Sequence, residues 1–399
     1  MQAENIQGPL TEDQDVVELA ESFGEELSVR AAEFEEQGYV SQDLAVRLAR
    51  LGFLRLCNPP EYGGPGRSPR DYARLVETLA KYDGSTGWVV FIGITSALAA
   101  CRLAPDTVRE IFAEPDAISA GVFAPMGRAV PCERNGERGF SLTGQWQWGS
   151  GSHNANHISG GGFVVDDNGE IARRADGGPD QRSFVMPIGD VELLDTWHVA
   201  GLKGTGSTDF RATDVFVPER MVSDPFTQTD FSHPMHSFPF FAALGIGIGA
   251  VALGLAEACM TAFLSLAGTK TPQGSARTLA MKPATHRRVA EASAKLRSAR
   301  LYFYDTIDRA WEMAVAGQGV PVETRAELRL SNTHAVMSAA EVIDSLYTLA
   351  GGSSVYLKSP IQRHFRDVHV ATQHMMVNEA TLELVGRIQL GQETNIALL

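Results

Sequence analysis

Three short stretches of this chain carry residues able to do chemistry. His374 closes the run RDVHVATQH (366–374). Its imidazole titrates near neutrality, so it can accept a proton from a phenol or an amine and return one later. The chain holds ten histidines, most of which must be ordinary satisfied side chains, and His369 is the second candidate in the same run. Ser150, in the turn Trp148-Gly149-Ser150-Gly151, offers a hydroxyl beside an indole. Residue types alone read Trp148 as a core aromatic and Ser150 as a turn residue. Gly351-Gly352 follows a long apolar run and is first of all a helix C-cap, although glycine also lets another group approach the backbone closely.

A fourth stretch imitates chemistry. Gly245, Gly247 and Ala250 echo the dinucleotide fingerprint, which works only after a strand and within a βαβ unit. Ser232, His233, Pro234, His236 and Pro239 read as loop upstream, so the match is discarded and no nicotinamide-binding domain is expected. Cys57, Cys101, Cys132 and Cys259 lie far apart, which suits neither a zinc site nor a disulfide framework and fits a reducing cytoplasm. No metal site is expected. The net charge of −14 argues against a nucleic-acid surface. Glu4, Glu12 and Asp13 replace the basic start of a signal peptide. Residues 238–256 are nearly long and apolar enough to cross a bilayer, but Pro239, the glycines and the missing basic flanks predict a helix buried in a helical bundle rather than a membrane span.

The elements that must position these residues come in three blocks. Val16, Leu19, Ala20 and Phe23, then Ala45, Leu48, Ala49 and Leu51, recur at helical spacing, and residues 70–82 and 86–103 resume it after the turn cluster PPEYGGPG (59–66). From about Ile118 short β-prone runs alternate with turns, at 118–122, 140–148, 157–165, 183–187 and 210–217, as in a small antiparallel β domain. Helical patterning returns after Pro218, with long helices expected at 286–311, 322–349 and 380–390. We divide the chain into a helical domain (1–116), a central β domain (117–222) and a C-terminal four-helix bundle (223–399), an α+β fold.

Four segments, in order and at compatible spacing, sit on this plan: PPEYGG (59–64), LTGQWQWGSG (142–151), WHVAGLKGTGSTDF (197–210) and GG…SPIQRHFRDVHVATQH (351–374). On them the chain resembles the acyl-CoA dehydrogenase superfamily over nearly its whole length. Trp88 in DGSTGW (83–88), the Gly-Ser-Gly at 149–151 and the RDVHVATQH run are similar to the flavin-dependent monooxygenase branch, which includes two-component phenol hydroxylases, dibenzothiophene-type oxygenases and amino-sugar nitrososynthases.

That resemblance implies an acyl-CoA dehydrogenase-like fold and the oxygenase component of a two-component monooxygenase. Such a component takes reduced flavin (FMNH2 or FADH2) from a separate NAD(P)H–flavin reductase and adds O2 at the flavin C4a to form a hydroperoxide. It would oxygenate a small aromatic or amine substrate and assemble as a homotetramer. The resemblance places Trp148 beside the flavin, Ser150 at its N5, and the backbone of Val122 and Phe123 at its pyrimidine side. Thr205, Ser207 or Thr208 would touch flavin or phosphate, and Lys270 would stand where an arginine often pairs with pyrophosphate. Gly351-Gly352 would meet the phosphate-bearing tail, often from a neighbouring subunit. His374 would act near C4a as base or hydrogen-bond partner. By residue type, Trp88, Phe123, Phe238, Phe240 and Phe241, with Met375, are candidates for an aromatic substrate pocket, and a core role is the alternative for each aromatic taken alone.

Two departures weaken an acyl-CoA substrate. The Thr-Glu-Pro…Gly-Ser-Asp pattern of dehydrogenases is missing around Val122, and the position of their catalytic glutamate falls on Met375, whose thioether is no base. An FAD-dependent acyl-CoA dehydrogenase is the alternative, and a flavin-free scaffold subunit is the second.

Overall fold

The computed structural model describes residues 10–11, 13–166, 168–175, 177–226, 233–397 and 399. The acidic start around Glu4 and Glu12 lies outside them, as do Asp167 and Ser232. Six helices come first: α1 (Val16–Glu21), α2 (Gly24–Gln37), α3 (Gln42–Arg50), α4 (Pro69–Tyr82), α5 (Gly84–Ala100) and α6 (Pro105–Ile111). Local chemistry sets their starts. Ser68 caps α4 by accepting from Asp71 N–H at 3.1 Å, with Pro69 at the first helical position, where a missing N–H costs nothing. Asp83 caps α5 by accepting from the N–H and the hydroxyl of Thr86, both at 2.7 Å.

Seven strands follow: β1 (Ser119–Arg134), β2 (Glu137–Trp146), β3 (His157–Val164), β4 (Gln181–Pro187), β5 (Glu192–Leu194), β6 (Asp209–Pro218) and β7 (Val222–Ser223). They form one sheet in the order β5-β6-β2-β1-β3-β4-β7. The antiparallel expectation fails at one place, for β1 and β3 run parallel. A parallel pair needs a crossover rather than a hairpin, and β2 supplies part of it by returning along the other edge of β1. The register of β1 slips between Val122 and Pro125 and again before Gly127, so the strand bends there. β5 and β7 are too short to show a period and carried no sequence signal. Trp146, fully buried, holds the centre by donating to Gly161 O at 2.7 Å and stacking on Phe210.

The helices α7 (Phe240–Thr269), α8 (Pro283–Val315), α9 (Val322–Ala350), α10 (Pro360–Ala371) and α11 (Glu379–Gln389) complete the chain. α7 is long and apolar enough to cross a membrane, yet 83% of its most apolar stretch is buried among α4, α5, α9 and α10. Its glycines serve that packing. A Cβ at Gly247 would lie 2.3 Å from the Tyr72 hydroxyl, and one at Gly254 would lie 2.3 Å from Glu77 O. Gly247 and Gly254 thus pare the helix surface so that α4 and α5 can come close, and Gly245 does the same toward Asn332 of α9. All four cysteines are free thiols.

Candidate active site

The end of β2, the start of α5 and the loop before β6 meet around Ser150. Its hydroxyl accepts from Trp88 Nε1 at 3.1 Å and lies 2.5 Å from the hydroxyl of Ser207. Ser207 lies 2.7 Å from the hydroxyl of Thr205, which donates to Leu202 O at 2.8 Å. A carbonyl can only accept, so the direction of the whole chain is fixed. Thr205 spends its proton on Leu202, Ser207 must donate to Thr205, and Ser150 must donate to Ser207. Ser150 is left with a lone pair and no free proton. The cluster is buried, where such committed hydrogen bonds cost most to break.

His374 stands 6.1 Å from Trp88, ring centre to ring centre. It occupies the turn after α10, not a helix start. Burial, and secondarily the nearby Arg329 cation, hold its pKa down at about 4, so the ring is neutral at physiological pH. Its Nδ1 accepts from Met376 N–H at 3.2 Å. A neutral imidazole with Nδ1 accepting carries its proton on Nε2. His374 therefore offers a donor to its surroundings.

The other end of the candidate set is open. Trp148 has a left-handed backbone (φ 65°) and is 68% exposed, so it is no core aromatic. A bulky residue held at positive φ with its face in solvent is a strained backbone position. Gly351 has φ 54° and ψ −148°, a region open essentially to glycine, and both Gly351 and Gly352 are exposed. Lys270, at the end of α7, donates through Nζ to Ala350 O, and a Cβ on Gly351 would lie 3.7 Å from that nitrogen. Lys270 is therefore a helix-end cap and a cation beside an open glycine turn at once.

The aromatic set divides. Phe123 and Phe241 meet edge to face at 4.9 Å, with Val122 half-buried one residue before Phe123. Phe238 is a core residue against Trp311 of α8 at 6.2 Å. Met375 is 59% exposed, while its neighbour Met376 is the buried one. Thr208 turns away from the Ser150 chain, its hydroxyl bonded to Thr196. His369 pairs with Asp344 at 2.9 Å, which ties α10 to α9.

Family comparison agrees with this arrangement. Residues 11–110 match the model of the acyl-CoA dehydrogenase N-terminal domain, and residues 246–379 match that of the C-terminal domain. The indole-3-acetate monooxygenase of Acinetobacter baumannii is 34% identical over 363 residues, 90% of each chain. The chain belongs to the acyl-CoA dehydrogenase family. The oxygenase subunit HsaA of Mycobacterium tuberculosis, a flavin-dependent monooxygenase, is 27% identical over 90% of this chain and 91% of its own. XiaF from a Streptomyces species, solved with FADH2 and glycerol, superposes with a TM-score of 0.86 at 26% identity over 95% of each chain. Within the family this chain is a flavin-dependent monooxygenase, an oxidoreductase that uses flavin and O2.

Its residues fit the flavin such a monooxygenase uses. A reduced flavin carries a proton on N5 and an oxidised one does not, so the lone pair left on Ser150 complements the reduced ring. The exposed indole of Trp148 offers an aromatic face, and Lys270 with the Gly351 turn offers a cation and open backbone for phosphate. The acyl-CoA dehydrogenase fold also supports the site from behind, through residues the sequence reading did not place there. Leu202, buried and left-handed at φ 48°, accepts from Thr205 and donates its N–H to Asp367 Oδ1 at 2.6 Å. Burial, then Asp83 and Glu35, raise the Asp367 carboxyl to about 7. Its neighbour Arg366 pairs not with Asp367 but with Glu35 of α2 at 2.8 Å, which ties α10 to the N-terminal helices. No sequence signal marks a leucine for left-handed backbone.

Proposed function

We propose that this monooxygenase is an oxygenase component that receives reduced flavin from a separate NAD(P)H–flavin reductase and oxygenates a small aromatic substrate. The observation that carries the reading is the one-way hydroxyl chain from Ser150 to Leu202, which suits a ring nitrogen bearing a proton. Bound reduced flavin supplies the electrons that activate O2. The protein's share is position, exclusion of water and control of protons. Trp88, Ser207 and Thr205 hold Ser150 in one orientation. Phe123 and Phe241 wall the site with apolar surface, which limits wasteful release of hydrogen peroxide. His374 holds a proton at Nε2, where it donates a hydrogen bond to oxygen rather than drawing a proton from the substrate.

Trp148, Gly351 and Gly352 remain exposed in the single chain, and this open surface supports a homotetramer in which a neighbouring subunit and the flavin cover it. Met375, an exposed thioether at the position of the dehydrogenase base, gives the acyl-CoA alternative nothing to work with.

The test is to mix anaerobic protein and FMNH2 or FADH2 with 18O2 and indole, then to follow label in the product by mass spectrometry. Labelled product is expected, with the reduced flavin bound about tenfold tighter than the oxidised form, the scale of one well-placed hydrogen bond. Unlabelled indole with all electrons recovered as hydrogen peroxide, together with bleaching of bound FAD by an acyl-CoA, would overturn the reading.

A further inference from the structure

Arg329, in the first half of α9, is buried. Burial lowers its pKa to about 10, which leaves it protonated at physiological pH. A cation kept inside a helical bundle costs stability, so its presence needs a reason other than packing.

The direction of its guanidinium supplies one. Nη2 donates to Met375 O at 3.3 Å. The other end of that same peptide unit is Met376 N–H, which donates to His374 Nδ1 at 3.2 Å. A peptide unit is planar, and in the trans form its C=O and N–H point opposite ways. A grip on the oxygen therefore aims the hydrogen. A charged donor on the carbonyl also polarises the amide, and hydrogen bonds linked in this way strengthen one another. The buried side chain of Met376 pins the unit from its other side.

The charged groups on the neighbouring helices are committed elsewhere. Asp83 of α5 accepts from Thr86, and α7 carries no charge before Glu257. On α10, Asp367 accepts from Leu202 N–H, Arg366 pairs with Glu35 and His369 with Asp344. On α9, Glu327 pairs with Arg309 and His334 lies against Tyr302. Glu379, at the start of α11, is exposed. Arg329 is the charge that acts on the His374 ring, and it opposes a second proton there.

We propose that Arg329 is the positioning residue of His374: through the Met375–Met376 peptide it keeps the imidazole proton on Nε2, facing the reacting centre. Its effect on turnover rests on the monooxygenase reading and the donor role of His374, whereas its effect on the ring's own proton does not.

The experiment is solid-state NMR of flavin-free protein labelled with 15N-histidine, in which His374 is identified by the signals missing from His374→Asn. Protonated and unprotonated ring nitrogens differ widely in shift, so tautomer and cation are read directly. At pH 7 the wild type is expected to show one neutral form, protonated on Nε2. Arg329→Met should add the form protonated on Nδ1, because the released peptide no longer holds its N–H on the ring. On acidification its imidazolium should appear at higher pH than in wild type, because the repelling charge is gone. Arg329→Lys keeps that charge without the planar fork, so its imidazolium should appear near the wild-type pH. Oxygenated product per reduced flavin should fall about tenfold in Arg329→Met, the scale of one charge-assisted hydrogen bond. Adding Arg329→Met to His374→Asn should cost nothing further, since the arginine acts through the ring.

A wild-type ring protonated on Nδ1 overturns the proposal without any variant. So does an unchanged His374 signal in folded Arg329→Met, or a further tenfold loss in the double variant. The oxygen-labelling experiment judges the monooxygenase reading by itself. If label fails to enter product while the ring behaves as expected, that reading falls and the positioning of His374 stands.

Discussion

Around Ser150 every polar hydrogen has a destination. The indole N–H of Trp88 enters the chain, three hydroxyls pass the donation along, and Leu202 closes it before handing its own N–H to Asp367. Around Gly351 the opposite holds. The turn is exposed, its backbone lies where only glycine goes, and one lysine stands beside it. The difference follows from what the proposed function asks of each region. A group that sets the polarity of a hydrogen bond at the reacting ring has to be fixed before the ligand arrives, whereas a phosphate tail can be gripped by open backbone and a mobile cation. The buried region is finished by the chain itself, and the exposed region, on the proposed reading, is finished by what binds to it.

The largest expected effect comes from breaking the buried region. Ser150→Ala removes the lone pair offered to the ring and strands the Trp88 N–H. Oxygenated product per reduced flavin consumed should fall by about a hundredfold, the scale seen when one preorganised partner is removed from a reacting centre. Hydrogen peroxide should rise in step, as read by peroxidase-coupled absorbance. Unchanged coupling in Ser150→Ala would remove the hydroxyl chain from the mechanism.

Asp367→Asn probes the support behind that chain and should act on stability more than on turnover. The carboxyl titrates at about 7 in the folded protein, above its ordinary value near 3.8. The folded state therefore binds more protons than the unfolded state between those limits, and this group's stabilisation is lost as pH rises through 7. Asparagine keeps an acceptor for Leu202 N–H and cannot ionise. The melting temperature of the variant relative to wild type should therefore be higher at pH 8 than at pH 5, by a few degrees. A gap that moves the other way would mean that Asp367 is ionised and held by Arg366.

Much of this contrast was legible in the residues. Helical patterning located α1, α3 to α5, α7 to α9 and α11, because amphipathic or wholly apolar faces write themselves into spacing. Four ordered motifs, no one of them decisive, led to Trp148, Ser150, Gly351 and His374, and a looser positional match led to Lys270. Direction was not legible. Which hydroxyl donates depends on Thr205 facing a carbonyl, and which nitrogen of His374 holds the proton depends on Met376 N–H, both set by loop geometry with no composition signature. Nor could the residues separate Phe238, locked against Trp311, from Phe241, two turns of logic away on the same aromatic run but facing Phe123. The parallel pairing of β1 with β3 escaped for a similar reason, since alternation fixes which face is buried and not which way a neighbour runs.

The smallest effect is expected at the exposed region, from Lys270→Met. Methionine keeps the aliphatic length and loses the charge. The cap on Ala350 O is one partly buried contact at a helix end, so melting should fall only slightly. If the open turn holds phosphate, the affinity for reduced FMN should weaken by about three- to tenfold, because one charge-assisted contact in partial solvent contributes no more than that. Raising the salt concentration should shrink the difference between variant and wild type, as screening weakens what the lysine contributes. Reduced lumiflavin, which has the ring and no phosphate, should bind both proteins alike while still losing affinity in Ser150→Ala. Measured by anaerobic fluorescence titration, that crossed pattern separates a ring-reading region from a phosphate-reading one. Loss of lumiflavin binding in Lys270→Met would show instead that the lysine shapes the site through α9, and the two regions would then be one.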